Sequence, residues 1–167
     1  IAISTSVSAR AGILVKDRLA LERMRTIDTV LFDKTGTLTK GNHAVIDTIT
    51  IDDYDRDEVL RLAAAIEANS EHPIARAIVN AASTIGPIPQ AAGFKALPGR
   101  GVTGTVDTRT VAVGGPALLT DLDLREPGAM ATTTAVWRAR GNAVLYIVVD
   151  HQVAGAVTVA DEIRPES

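Results

Sequence analysis

DKTGTLT, at residues 33–39, directly follows the apolar run TVLF at residues 29–32. An apolar run that ends in a carboxylate and a glycine-containing turn predicts a buried parallel strand. The carboxyl end of such a strand is where open α/β sheets place their ligands. We expect Asp33 to stand there as an exposed, ionised carboxylate, because an unperturbed aspartate titrates near ~3.9.

This heptad has the chemistry of a phosphate-transfer site. An exposed carboxylate can attack phosphorus and form an acyl phosphate, and Gly36 allows a tight turn whose amides and threonine hydroxyls can hold phosphate oxygens. The heptad resembles the phosphorylation motif of the P-type ATPases, ion pumps that pass through an aspartyl-phosphate. The resemblance implies that Asp33 is the phosphorylated residue, that Asp33 and the carbonyl of Thr35 hold Mg2+, and that Lys34 and Thr37 assist at the phosphate.

Composition is consistent with an ordinary globular chain. The 167 residues carry 17 basic and 20 acidic side chains, for a net charge of −3, and no cysteine. Without long charge runs, nothing indicates a nucleic-acid surface. Without cysteine there is neither a disulfide framework nor a thiolate metal site. No apolar run approaches the ~20 residues of a membrane span.

The periodicity predicts helices and strands in separate runs. Helices are predicted within 12–26 and over 55–69, 73–82 and 127–140. Strands are predicted over 45–51, 92–97, 101–106, 109–114, 143–149 and 153–158. Asp55 is expected to cap the second helix with Glu58 as its capping-box partner. Strands grouped in this way indicate an antiparallel sheet with helices packed against it, not a βαβ succession.

The predicted fold class is therefore α+β. It is an antiparallel sheet of about six strands flanked by helices. The P-type ATPase resemblance implies that this sheet is inserted into an incomplete α/β phosphorylation domain of the haloacid-dehalogenase type. We predict domain bounds of 1–40 for the first part of the phosphorylation domain, 41–159 for the nucleotide-binding domain and 160–167 for a return hinge. Residues 28–33 and 161–167 are expected to lie together at one edge.

The return hinge has its own motif. Asp161, Arg164 and Pro165 resemble the Asp-x-x-Arg-Pro segment of these pumps. The resemblance implies that Asp161 and Arg164 approach the ribose and phosphates of the nucleotide as the two domains close. A plain linker is the alternative interpretation.

A second motif, SEHP at residues 70–73, lies at the junction of two predicted helices. Such a junction, with proline first in the next helix, presents free backbone amides, and a neutral imidazole can stack on a purine or hydrogen-bond to it. The motif resembles the adenine-binding motif of the heavy-metal (type IB) P-type ATPases. The resemblance implies that ATP is contacted by Glu67, Ser70, Glu71, His72 and Pro73.

A third motif, LPGRGV at residues 97–102, is rich in glycine. With Gly104 it matches the Gly-x-Gly-x-x-Gly fingerprint of dinucleotide-binding proteins, but that fingerprint requires a following helix and residues 102–106 are predicted as strand. We interpret the motif as a tight turn that a ligand can approach, and a plain hairpin turn is the alternative. We expect Gly101→Val to block a ligand and leave the fold intact.

The type IB resemblance extends to the glycines. It implies that Gly99, Gly101 and Gly114 contact ATP. Gly115 departs from the subclass, which usually has an asparagine there that hydrogen-bonds the nucleotide. We therefore expect weak ATP binding, with a dissociation constant in the high-micromolar to millimolar range.

The resemblance implies that these residues are a fragment of a larger transport protein. Its partners would be ATP, Mg2+ and the remaining phosphorylation, actuator and transmembrane domains of one parent chain, on the cytoplasmic side of the cell membrane; no nucleic-acid partner is expected. The family's Thr-Gly-Asp and Gly-Asp-Gly motifs do not occur in these residues, so the fragment is expected to bind ATP without turning it over.

Two other functions remain open at this point. A soluble phosphatase of the haloacid dehalogenase type shares the aspartate nucleophile, but typically carries a second aspartate two positions later as general acid and base. Thr35 occupies that position here, which would leave the leaving group unprotonated. The other alternative is a free-standing regulatory nucleotide-binding module.

Overall fold

The structure is a computed structural model that describes residues 9–10, 12–14, 16–33, 37–51 and 54–163. The chain divides into two compact units, Ile1–Asp33 and Lys34–Ser167. In the described part of the chain, no helix is long and apolar enough to cross a membrane.

A short helix lies in the described part of the first unit. Helix α1 covers Arg18–Arg23 and continues into a 3-10 turn at Met24–Thr26. The carboxylate of Asp17 accepts a hydrogen bond from the Leu19 amide at 2.8 Å, which satisfies one of the free amides at the start of the helix. The predicted helix within 12–26 is thus confirmed, with a shorter span.

The predicted strand at residues 29–32 is wrong for this chain. Residues 27–33 are neither helix nor strand, and Leu31 and Phe32 are 91% and 67% exposed. A strand is stable only when its backbone amides and carbonyls pair with neighbours, and none of the described strands pairs with this segment. Asp33 is exposed, as predicted.

The second unit is built on one antiparallel sheet of six strands. The strands are β1 (Thr39–Thr50), β2 (Ala91–Leu97), β3 (Gly101–Val106), β4 (Arg109–Gly114), β5 (Ala143–Val149) and β6 (Gln152–Ile163). Their order in the sheet is β1-β6-β5-β4-β3-β2, and every neighbouring pair is antiparallel. The predicted strand number and direction are confirmed. The outer ends of β1 and β6 run further than predicted because they pair with each other, Thr39 opposite Ile163.

Two hairpins join consecutive strands through very short turns. Asp107 has a φ of 55° between β3 and β4, while Asp150 and His151 have φ values of 46° and 64° between β5 and β6. Positive φ at two successive residues is the conformation of a two-residue type I′ turn, whose twist matches that of the flanking strands. The Asp150 carboxylate also accepts a hydrogen bond from the Thr110 amide at 2.9 Å.

Four helices cover the two faces of the sheet. They are α2 (Arg56–Glu67), α3 (Pro73–Ser83), α4 (Pro116–Asp121) and α5 (Gly128–Ala139). Helices α2 and α3 share one apolar core with the sheet, while α4 and α5 share a second core on the opposite face. Helix α4 was not predicted, because its six residues are too few to show a helical period.

The strands supply both cores because successive side chains point to opposite faces. In β5, Ile147 and Val149 enter the first core, and Val144, Tyr146 and Val148 enter the second. Since both faces are covered, the central strands are apolar almost throughout. Helices α2 and α3, which flank the SEHP motif, both pack into the first core. Their burial therefore fixes the position of that motif against the sheet.

Helix α2 starts at the predicted cap. The Asp55 carboxylate accepts a hydrogen bond from the Glu58 amide at 2.9 Å, which is the first half of a capping box. The side chain of Glu58 instead forms an ion pair with Arg109 at 2.8 Å. That ion pair links the first turn of α2 to β4 across the end of the sheet.

Loss of the cap should be measurable as lost stability. We expect Asp55→Ala to lower the free energy of unfolding by about 1 kcal/mol, because the Glu58 amide loses its acceptor. Asp55→Asn keeps an acceptor oxygen, so it should lower the free energy of unfolding by only a few tenths of a kcal/mol. Urea denaturation of both variants, with Asp57→Ala as a control for loss of negative charge in the same turn, checks this. Equal losses for the alanine and asparagine variants of Asp55 would contradict the capping role.

Candidate functional site

A cavity of about 390 Å³ opens where the α2–α3 junction faces the β2–β3 turn and the end of β4. Its polar lining residues are Glu67, Ser70, His72 and Arg100, and its glycines are Gly99, Gly101, Gly114 and Gly115. Its apolar lining residues are Ile74, Ala96, Leu97, Val102, Val113 and Leu145. Two separate predicted motifs, SEHP and LPGRGV, therefore meet in one place.

The α2–α3 junction is held by short-range hydrogen bonds. The Ser70 amide donates to the Glu67 carbonyl at 2.9 Å, and the His72 amide donates to Ser70 Oγ at 3.3 Å. These bonds turn the chain at the end of α2, so that Glu67 and His72 lie on the same cavity.

His72 is the N-cap of helix α3. Its Nδ1 accepts a hydrogen bond from the Ile74 amide at 3.2 Å, and Pro73 follows as the first helical residue. Because Nδ1 is an acceptor, the neutral ring carries its proton on Nε2. The cap therefore fixes the ring and leaves Nε2–H as a hydrogen-bond donor.

The opposite wall is a type II turn. The Arg100 amide donates to the Leu97 carbonyl at 2.9 Å, which closes a four-residue turn with Pro98 second and Gly99 third. Gly99 has a φ of 71°, and that conformation is the reason for a glycine at the third position of this turn type. A Cβ at Gly99 would meet no heavy atom within 4 Å, so its side faces open space.

Gly101 and Gly114 face each other where β3 and β4 begin to pair. A Cβ on Gly101 would lie 2.0 Å from the Val113 carbonyl oxygen, and one on Gly114 would lie 2.0 Å from the Arg100 carbonyl oxygen. Both glycines are therefore required by the backbone itself. The expectation that Gly101→Val leaves the fold intact is wrong, because the valine would collide with β4.

The interpretation of LPGRGV as a turn between strands is confirmed. Residues 101–106 form β3, so the dinucleotide-binding fingerprint has no helix after its glycines. Gly115 differs from its neighbours: a Cβ there would meet nothing within 4 Å, and its φ is an ordinary −75°. An asparagine would fit at this position.

Glu67 is the ionisable residue whose environment is most unusual. It is only 7% exposed, at the end of α2. Burial raises the pKa of its carboxyl to about 7, an effect that a hydrogen bond from Ser70 partly opposes. Near neutral pH this side chain is divided between a charged acceptor and a neutral donor.

The cavity suits a flat heterocycle with polar edges. Ile74, Val113 and Leu145 supply apolar surface, while Glu67 and the Nε2–H of His72 offer an acceptor and a donor at the rim. Such a mixture of apolar walls and a few directed polar groups is typical of small-molecule sites. Sequence reasoning missed the apolar walls, since valines and leucines on strands look the same whether they line a core or a cavity.

A larger cleft of about 660 Å³ lies between β1 and α3 and includes Pro73 and Arg76. Pro73 lines this cleft and not the candidate cavity. Glu71 is exposed and does not line the candidate cavity either. The predicted nucleotide contacts of Glu71 and Pro73 stay predictions, and this geometry does not support them. The candidate ligand-binding residues line the smaller cavity.

Asp161 also lies outside the cavity. It is on β6, opposite His43 of β1, and its Oδ2 accepts a hydrogen bond from the Thr39 hydroxyl. This bond joins the last residue of the DKTGTLT heptad to the return hinge. Asp161 therefore belongs to the β1–β6 strand pair of the second unit.

The remaining predicted residues are distributed along the chain. Thr37 is described and exposed, as Asp33 is. Lys34, Thr35 and Arg164 lie outside the described residues. Among the described residues, no three histidine, aspartate or glutamate side chains are grouped closely enough to hold a metal ion.

Burial of Glu67 predicts a pH-dependent stability. Its pKa is about 7 in the folded chain and near 4.5 when exposed, so folding favours the protonated form. This stabilisation is fully present below about pH 4.5 and is lost as the pH rises through about 7. We expect the free energy of unfolding to fall by about 3 kcal/mol across that range from this group.

Chemical denaturation of the wild type and of Glu67→Gln between pH 5 and about pH 8 checks this expectation. The glutamine cannot ionise, so the variant should lose most of the decline and become the more stable protein at the alkaline end. Parallel pH profiles for the two proteins would show that Glu67 is not the titrating group.

Known proteins match both the sequence and the fold. The model of the haloacid dehalogenase-like hydrolase family matches residues 27–167. The chain is 39% identical to the copper-exporting P-type ATPase B of Archaeoglobus fulgidus over 168 aligned residues, which is 100% of this chain and 24% of that protein. The chain thus spans about a quarter of the length of that relative.

Two solved structures are similar. A zinc-transporting PIB-type ATPase in the E2.Pi state matches with a TM-score of 0.81 and 31% identity, covering 96% of this chain and 26% of that one. The N-domain of HMA8, a copper-transporting P-type ATPase, matches with a TM-score of 0.58 and 30% identity, covering 68% of this chain and 97% of the domain.

The family match covers most of the chain, and an isolated N-domain is matched over nearly its whole length. The motifs that resemble this family and the six-stranded sheet agree with these matches. The chain therefore belongs to the heavy-metal P-type ATPases, within the haloacid dehalogenase-like hydrolases.

Proposed function

We propose that this chain is the ATP-binding part of a heavy-metal cation-transporting P-type ATPase, and that the adenine of ATP occupies the cavity between the α2–α3 junction and the β2–β3 turn. One observation carries the proposal. Glu67, Ser70, His72, Gly99, Gly101 and Gly114, named from separate stretches of sequence, line a single cavity.

The lining residues suggest how the base would be held. The faces of the purine would pack on the apolar walls, including Ile74 and Leu145. An ionised Glu67 would accept a hydrogen bond from the amino group of adenine, and His72 Nε2–H would donate to a ring nitrogen. The backbone at Gly99 leaves room for the ligand because no side chain projects from it.

The heptad would supply the reacting carboxylate. When the parent protein brings the γ-phosphate to Asp33, a carboxylate oxygen would form a bond to phosphorus, and the bond from phosphorus to the β–γ bridging oxygen would break and release ADP. Asp33 is exposed, as an attacking group needs to be. Lys34 and Thr37 would assist at the phosphate.

Mg2+ would be held by Asp33 and the Thr35 carbonyl. ATP phosphate oxygens would complete the coordination of the ion. Bound Mg2+ would offset phosphate charge during transfer. We propose that these 167 residues bind ATP without hydrolysing it.

The other domains of the parent chain are the proposed partners. In this proposal the two units lie on the cytoplasmic side of a membrane, and hydrolysis of the aspartyl-phosphate at Asp33 drives movement of a metal ion through the transmembrane part. The names of the relatives, copper-exporting and zinc-transporting, support a heavy-metal cation as the cargo.

Substitution of His72 tests the adenine site. His72→Ala should lower ATP affinity about fivefold to tenfold by removing a packed ring and a hydrogen bond, and should also destabilise the protein by about 1 kcal/mol through loss of the cap. His72→Asn retains a capping oxygen but no ring, so stability should be kept and affinity lost. Amide chemical-shift titration with ATP, beside urea denaturation, separates the two effects.

Gly115→Asn provides a gain-of-binding variant. The position is sterically open, and an added hydrogen bond should strengthen ATP binding by a few-fold. Unchanged ATP affinity in both His72 variants would refute the adenine-site assignment, whatever the effect of Gly115→Asn.

A further inference from the structure

Arg100 is the cavity's only permanent cation. All the lining residues lie in the described part of the chain, and none of the others is lysine or arginine. The Arg100 backbone is fixed by the turn between Gly99 and Gly101, where its amide donates to the Leu97 carbonyl at 2.9 Å. A ligand with several phosphates would therefore meet Arg100 at the rim of the adenine cavity.

In the structure Arg100 has a partner outside the cavity. Its Nη1 lies 2.6 Å from Oδ1 of Asp121, the last residue of α4, and both side chains are 43% exposed. Asp121 is not a lining residue of the cavity. Solvent-exposed ion pairs contribute little net stability, because water screens them and the side chains lose freedom.

The triphosphate of ATP offers a guanidinium more negative charge than the single exposed carboxylate of Asp121 does. Arginine can bind phosphate oxygens in a bidentate arrangement, and such charge-assisted hydrogen bonds are shorter and stronger than neutral ones. The side chain of Arg100 is long and exposed. It can exchange Asp121 for phosphate by changing its rotamer. The turn keeps the backbone of Arg100 in place during that change.

We propose that Arg100 is the residue through which this cavity holds the phosphates of its nucleotide, and that Asp121 is the resting partner that the phosphates displace. The inference rests on the proposed ATP-binding function and adds a residue to it. It has a specific consequence: Asp121 competes with ATP for Arg100. Removing the arginine and removing the aspartate should therefore shift ATP affinity in opposite directions.

The test compares adenosine, AMP and ATP by calorimetric or chemical-shift titration of the whole chain. Arg100→Ala should weaken ATP binding about threefold to tenfold and leave adenosine binding unchanged, because only the phosphates use the guanidinium. Asp121→Asn should strengthen ATP binding about twofold to threefold. AMP should show smaller changes of the same sign.

The Arg56–Asp47 pair supplies matched controls. It is also an exposed ion pair, at 2.9 Å, with side chains 57% and 47% exposed, and neither residue lines the cavity. Arg56→Ala and Asp47→Asn change the net charge by the same amounts, so any shift that they share with the cavity variants reports general electrostatics. Thermal unfolding of all four variants identifies losses that come from misfolding.

Each remaining outcome is decisive. Weaker ATP binding in both Arg100→Ala and Asp121→Asn would mean that the pair only braces the turn against α4, and would overturn the proposal. Equal losses for adenosine and ATP in Arg100→Ala would do the same. If the wild type binds adenosine but Arg100→Ala binds ATP normally, this inference fails while the proposed function stands; if the wild type binds no nucleotide, both fail.

Discussion

The contact between two backbones at Gly101 and Gly114 is the constraint on which the candidate site depends. A Cβ on Gly101 would fall 2.0 Å from the Val113 carbonyl oxygen of β4, and one on Gly114 would fall 2.0 Å from the Arg100 carbonyl oxygen of the β2–β3 turn. The two backbones can therefore approach this closely only without side chains. The approach lets the β2–β3 turn close over the end of β4 and brings Gly99 and Gly115 to the same rim. All four glycines line the cavity.

On the opposite wall, His72 and Glu67 belong to the helix junction and also line the cavity. His72 caps α3 through Nδ1, and this bond orients the ring that faces the cavity. Glu67 lies buried at the end of α2, where its raised pKa shows that the folded chain disfavours the charged form. Buried acids with shifted pKa values are concentrated at functional sites, and a fold optimised only for stability would have an uncharged residue at this position.

Local patterns predicted most of the second unit. Alternation over residues 45–51 identified β1, and short apolar runs bounded by turn residues identified the other strands. The cap at Asp55 and the proline after His72 marked two helix starts correctly. Helix α4 was missed because it is one and a half turns long, and its start at Gly115–Pro116 looks like part of a loop.

Tertiary pairing accounts for the predictions that were wrong. The TVLF run has the composition of a buried strand, yet Leu31 is exposed, because strand formation depends on partner strands and not on composition. Gly101 was interpreted through its ligand, while the structure shows a steric requirement from β4 that no one-dimensional pattern contains. The ion pair between Arg100 and Asp121 joins residues 21 positions apart and was equally invisible in the sequence.

The most direct test of this account is a map of backbone amide shifts during titration with ATP. The account predicts that the largest changes fall at residues 70–74, 97–101 and 113–115, which surround the smaller cavity. Residues 41–45, beside the larger cleft between β1 and α3, should change little. Shifts concentrated around that cleft, with the glycine turn and the α2–α3 junction unaffected, would contradict the assignment of the nucleotide site.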